Sequence, residues 1–173
     1  LRLAAMAANV LDMTKVENQT ILTDVTHYNL SEQIRSCVLL LLEGKWAKKE
    51  IDFSVGFDEH MIMANEELMK HVWINLLDNA IKFSPEGGTV EVSIREQADT
   101  LAIPVSNQGD EIPKEQHGKI FHKFYQADES HSAEGNGIGL ALVKKITELH
   151  EGEVGVKSEN GITAFTVVLP KAH

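Results

Sequence analysis

The run His71–Phe83 admits little besides a half-buried helix. Val72, Trp73, Leu76, Leu77, Ala80 and Ile81 recur at helical spacing and form one apolar stripe. Asn75 and Asn79 are four residues apart, so they sit one above the other on a single face, and Lys82 joins them three residues later. Two carboxamides and an ammonium aligned on such a helix could hold a metal-bound phosphate. A plainer reading treats the asparagines as partly exposed polar residues and Lys82 as a solvated charge. Asparagine is a mediocre helix former, however, so two inside one helix call for an explanation.

The chain has 173 residues, enough for one well-cored domain with an appendage. A net charge of −10 argues against a nucleic-acid or anionic-membrane surface. A polyanionic ligand would therefore need local cations, a metal or a helix N-terminus. Cys37 is the sole cysteine, which excludes an intramolecular disulfide and a thiolate metal cluster. Its neighbours Ile34, Val38 and Leu41 make it a small core residue. The apolar run from Cys37 to Leu42 is too short to span a bilayer, and no signal peptide is visible. The chain opens in mid-helix without an initiator Met, which suggests a piece of a longer protein.

In chain order, Leu1 to Val16 reads as a helix and Glu17 to Asn29 as a linker, with a short extended piece around Ile21 to Val25. Ser31 is the expected N-cap of a helix from Glu32 to Lys48. Strands are expected at Ile51–Val55 and Met61–Met63, and Asn65 caps the central helix. Ser84 to Gly88 ends it. Thr89–Gln97 and Thr100–Val105 follow as strands. Pro104 implies an edge, a bulge or a strand end, since proline cannot donate to a ladder. Asn107–Glu111 reads as a loop, Phe121–Gly135 as a long one, Gly137–His150 as a helix, and Gly152–Lys157 and Thr163–Leu169 as closing strands around an Asn160-Gly161 turn. The order predicts an α+β domain: a two-layer α/β sandwich, three helices on one face of a mixed sheet, with an N-terminal helical segment.

Gly135-Asn136-Gly137-Ile138-Gly139-Leu140 opens the last long helix. Glycines let backbone N–H groups approach a ligand, and the helix N-terminus supplies positive partial charge, so the segment suits an anion. No strand precedes it, so the dinucleotide-binding fold does not fit. By itself it reads equally well as a hinge into a helix.

Together these residues resemble the catalytic ATP-binding domain of sensor histidine kinases, within the gyrase, Hsp90, histidine kinase and MutL ATPase superfamily. Asn75–Phe83 looks like that family's N box, Asn107-Gln108-Gly109-Asp110-Glu111-Ile112-Pro113 stands at its G1 box, Ile120–Tyr125 resembles its F box and Gly135–Leu142 its G2 box. Thr163-Ala164-Phe165 also fits. Residues 1–28 resemble the end of the second dimerisation helix with its linker, which leaves 29–173 as the catalytic domain, of the Bergerat fold. None of the eight histidines sits in a phosphoacceptor motif.

The resemblance implies ATP and Mg²⁺ as cofactors. Asn79 would hold the metal through its amide oxygen, while Asn75 and Lys82 would act on the phosphates. Phe83, Asn107, Gly109 and Ile112 would serve the adenine end, and Thr163 would also contact the nucleotide. Lys123, Tyr125, Gly135, Gly137, Ile138, Gly139 and Leu140 would belong to the lid and the second glycine box, with Phe121 and Phe124 as lid anchors or plain core. Hydrolysing relatives place a Glu general base at the position of Asn75, and an amide cannot take that proton. The expected activity is thus phosphoryl transfer to a histidine of the protein's phosphoacceptor domain. The resemblance also implies a response regulator as partner, a cytoplasmic domain, and a homodimeric full-length protein whose upstream sensor region can include membrane spans. Two departures stand at the adenine end. The family's Asp is Asn107 here, a change worth roughly 1–2 kcal/mol or about tenfold in affinity. The second glycine of that box is Glu111, whose side chain could crowd the nucleotide. A kinase-like binding module acting through protein contacts is the alternative these departures favour; a superfamily ATP hydrolase is a third.

Overall fold

The structure, a computed structural model, describes residues 16–44, 46–122 and 139–171. The elements that lie wholly within the described residues follow one another as β1 (Thr26–Asn29), α1 (Leu30–Glu43), β2 (Asp52–Ser54), β3 (Met61–Ala64), α2 (Glu66–Phe83), β4 (Thr89–Val92), β5 (Arg95–Glu96), β6 (Thr100–Gln108), α3 (Gly139–Leu149), β7 (Glu153–Glu159) and β8 (Ile162–Pro170). A short 3₁₀ turn, Lys114–Gln116, follows Pro113.

The main sheet runs β2-β4-β6-β8-β7, with β5 alongside β6. Only β2 and β4 are parallel, so the sheet is mixed, as expected. The helices form the second layer. α2 packs between α1 and α3 and lies over β6, while α3 also covers β7 and β8. The stripe Val72, Trp73, Leu76, Leu77, Ala80 and Ile81 is wholly buried, which makes α2 the centre of the core. Opposite it, Leu101, Ile103 and Val105 of β6 pair with Leu169, Val167 and Phe165 of β8, all six buried. Cys37 and Phe121 are core residues, and the Phe121 ring meets Phe165 edge-on with centroids 6.0 Å apart. Burial pushes the Cys37 thiol up to about 11, as an inert core thiol should show.

Several local expectations change. The extended piece near Ile21–Val25 lies instead at Thr26–Asn29 and pairs antiparallel with β3 in a separate two-stranded sheet. Asn29, not Ser31, caps α1 by accepting from the Glu32 N–H at 3.0 Å. Ser31 is engaged elsewhere: its buried hydroxyl donates to the Asp58 carbonyl at 2.7 Å and accepts from the His60 N–H at 2.9 Å. α1 ends at Glu43 rather than Lys48. Pro104 is neither at an edge nor at a strand end. It sits inside β6, between β4 and β8, with the register unbroken on both sides. Its carbonyl accepts from the Ser93 N–H at 3.3 Å, but it has no N–H to return, and the neighbouring strand is split there into β4 and β5. β6 then continues through Asn107, which had read as the start of a loop.

Candidate functional site

One end of the buried sheet face turns polar. Beyond the apolar pairs of β6 and β8, the next pair on that face is Asn107 with Thr163, both buried. Across β7 the row continues to Ser158, also buried, whose Oγ lies 2.7 Å from Thr163 Oγ1. The Ile112 N–H donates to Ser158 Oγ at 2.8 Å, which draws the chain after β6 back over this row. Buried polar side chains at the end of an apolar face are expensive unless partnered; here Ser158 and Thr163 partner each other, and Asn107 turns to the backbone of Gln108.

α2 closes this end. A Cβ on Gly109 would stand 2.6 Å from the Phe83 carbonyl oxygen and 3.4 Å from Asn107 Nδ2, so only glycine lets the loop reach the helix end. Phe83, Asn107, Gly109, Ile112 and Thr163 are thus brought to one place. Phe83 keeps 39% of its surface exposed, enough to offer its ring to a ligand. Asn107 Nδ2 donates to the Gln108 carbonyl at 2.9 Å. Glu111 does not crowd this space. It is exposed and turned toward the β7–β8 turn, where it accepts from the Gly161 N–H at 3.4 Å.

Asn75, Asn79 and Lys82 lie half-buried along the adjoining face of α2. Asn75 Nδ2 donates to the His71 carbonyl at 2.7 Å, one turn back. Its Oδ1 would stand 2.7 Å from a Cβ on Gly139, the first residue of α3. The start of α3 therefore lies against the middle of α2, and Leu140 packs half-buried beside it. The Lys82 ammonium lies 4.7 Å from the centroid of the Phe83 ring. Lys123, Phe124, Tyr125, Gly135, Gly137 and Ile138 lie outside the described residues.

Ser158 was missed in the sequence, although a signal was present. An Asn-Gly turn at 160–161 fixes the hairpin register and so sets Ser158 opposite Thr163. A separate concavity of about 700 Å³ between α1 and the start of α2 is lined by Glu32, Glu66 and Glu67 and so does not suit a polyanion. Among the described residues no group of three His, Cys, Asp or Glu could hold a metal alone.

The family model of the histidine kinase-, DNA gyrase B- and HSP90-like ATPases matches residues 64–173. The chain belongs to this family of ATP-binding domains. Within the family it is a catalytic domain of the two-component sensor-kinase type, as its relatives indicate. It is 31% identical to the probable sensor kinase SilS of Salmonella typhimurium, over 98% of this chain and 35% of that protein. The chain thus spans about a third of the length of this curated relative. The catalytic domain of histidine kinase ThkA superposes with a TM-score of 0.76 at 30% identity, covering 86% of this chain and 97% of that one. ThkA in complex with the response regulator protein TrrA gives a TM-score of 0.80 at 27% identity, over 99% of this chain and 48% of that one.

Proposed function

We propose that this domain binds Mg–ATP and donates the γ-phosphoryl group to a phosphoacceptor histidine carried by another domain of the same protein. The reading is carried by one observation. Segments far apart in sequence converge on α2, with Gly139 against Asn75 and Gly109 against Phe83. In this reading Phe83, Asn107, Gly109, Ile112 and Thr163 hold the adenine, with Ser158 fixing Thr163. Asn107 commits its nitrogen to Gln108, so its carboxamide oxygen is the acceptor for the adenine amino group.

Asn75 and Lys82 would meet the phosphates, and Asn79 would hold Mg²⁺. When bound, that ion supplies charge neutralisation on the phosphate oxygens. Lys82 adds a point charge where negative charge gathers during transfer. Asn75 cannot act as a general base toward water, which favours transfer over hydrolysis. Lys123, Tyr125, Gly135, Gly137, Ile138, Gly139 and Leu140 complete the phosphate end. Residues 29–173 form the catalytic unit, entered through β1 from a dimerisation-helix remnant and linker at 1–28. The partners are the phosphoacceptor domain, a response regulator and a second copy of the full-length protein. The domain works in the cytoplasm, in a full-length protein whose upstream region can include a membrane anchor; among the described residues no helix is long and apolar enough to cross a membrane.

Calorimetric titration with Mg²⁺ and a non-hydrolysable ATP analogue tests the site. Asn79→Ala should abolish metal-dependent binding, and Asn107→Asp should tighten it about tenfold by restoring a charge-assisted bond. Binding by Asn107→Asp but not by the native chain would mean a kinase fold that has given up its nucleotide, and would reject the proposal.

A further inference from the structure

The last turn of α2 is held by a side chain outside every sequence motif discussed above. A helix leaves its final carbonyls without intrahelical partners. Here Ser84 answers Ala80 and Ile81 with its backbone N–H, at 3.1 and 3.2 Å, and its hydroxyl donates to Ala80 at 2.8 Å. Further contacts come from Lys49, in the connection between α1 and β2. Its ammonium donates to the Ile81 carbonyl at 2.7 Å and to the Lys82 carbonyl at 3.0 Å. The Lys49 carbonyl accepts from the Gly87 N–H at 3.1 Å, just past the helix. Trp46 braces this arrangement. Its ring lies 5.2 Å from the Lys49 ammonium, and its indole N–H donates to the Asp78 carboxylate at 2.6 Å. The segment from Trp46 to Lys49 therefore clasps α2 at residues 78, 81 and 82, which flank Asn79 and include Lys82 itself.

The C-terminal end of a helix carries about half a negative charge. In the proposed function Lys82, in this last turn, meets the phosphates, and the negative helix end works against the charge it supplies there. An ammonium bonded to the last carbonyls offsets that charge and fixes the backbone from which Lys82 projects. We infer that Lys49 is a positioning residue for the nucleotide phosphates, acting through the backbone of Lys82 and through the field of the helix end. The inference rests on the Mg–ATP reading of the site.

The test titrates the native chain, Lys49→Met and Lys49→Arg with Mg²⁺ and a non-hydrolysable ATP analogue, and separately with adenosine. Methionine keeps an apolar stem against Trp46 and deletes the cation. Lys49→Met should weaken the analogue about tenfold and leave adenosine within about twofold, and Lys49→Arg should recover most of the loss. A parallel loss of analogue and adenosine would signify general loosening and overturn the inference. So would equal analogue affinity in the native chain and Lys49→Met. Failure of the native chain to bind the analogue would instead remove the Mg–ATP reading on which the inference depends. Hydrogen exchange of the unliganded proteins gives an independent check. Exchange should quicken around residues 82–87 in Lys49→Met while the first half of α2 is unchanged, and no local change would mean that the clasp does not hold the helix end.

Discussion

Single atoms decide whether the two ends of the site meet. Gly139 has no Cβ, and the place one would occupy lies 2.7 Å from Asn75 Oδ1. Gly139→Ala should therefore push the Asn75 carboxamide or the start of α3 aside. The expected result is weaker binding of the ATP analogue, by tenfold or more on the order of a misplaced contact, with a native-like circular dichroism spectrum. Unchanged affinity would show that Asn75 does not depend on this approach. The pairing of Asn75, Asn79 and Lys82 was legible because helical spacing alone puts them on one face. Ser158 and Lys49 were not legible as partners. One needs the strand register around a hairpin, and the other needs the path of a loop back to a helix end more than 30 residues away in sequence. The orientation of Glu111 was equally hidden, since residue type does not say which way a loop side chain turns.

Helix α2 was read almost to its ends because its stripe is long and its cap, Asn65, accepts from the Leu68 N–H at 3.0 Å as a cap should. Strand β6 was cut short because proline and asparagine both argue locally against a strand. Pairing on both sides overrides that preference, and the cost falls on the neighbour, which breaks into β4 and β5. Pro104→Val should return an N–H to the ladder opposite Ser93. A stabilisation of about 0.5–1.5 kcal/mol is expected by urea denaturation, a typical net value for one hydrogen bond. Destabilisation would mean that the split is needed for the sheet's shape. The N-cap of α1 shows the same competition in miniature. Asn29 and Ser31 are both good caps, and tertiary demand for the Ser31 hydroxyl decides between them.

Across the molecule, helices α2 and α3 are tied by a histidine just past the end of α3. His150 is buried; its Nδ1–H donates to the Ile146 carbonyl at 2.8 Å and its Nε2 accepts from the Asn65 N–H at 3.1 Å, at the start of α2. The bond from Asn65 requires the neutral ring, whereas the bond to Ile146 is open to the protonated ring as well. Burial holds its pKa below the usual 6.5, opposed by the bond to Ile146. The unfolded chain then binds the proton more readily than the folded one, so this contribution is complete above about pH 6.5 and is lost as pH falls below it. Protonation would also set a positive charge at the positive end of α2. Urea denaturation at pH 7.5 and 5.5 should show a loss of stability that is smaller in His150→Gln. An equal loss in both proteins would place the acid sensitivity elsewhere.

Helix α2 fills the centre of the core and also carries both ends of the site. Folding of α2 and competence of the proposed site therefore go together. A bound nucleotide becomes a fold-holding element, and at a hundredfold excess over its dissociation constant it adds about 2.7 kcal/mol to the native state. Core substitutions far from any ligand, such as at Trp73, would lower nucleotide occupancy and the folded population together, because both draw on one equilibrium.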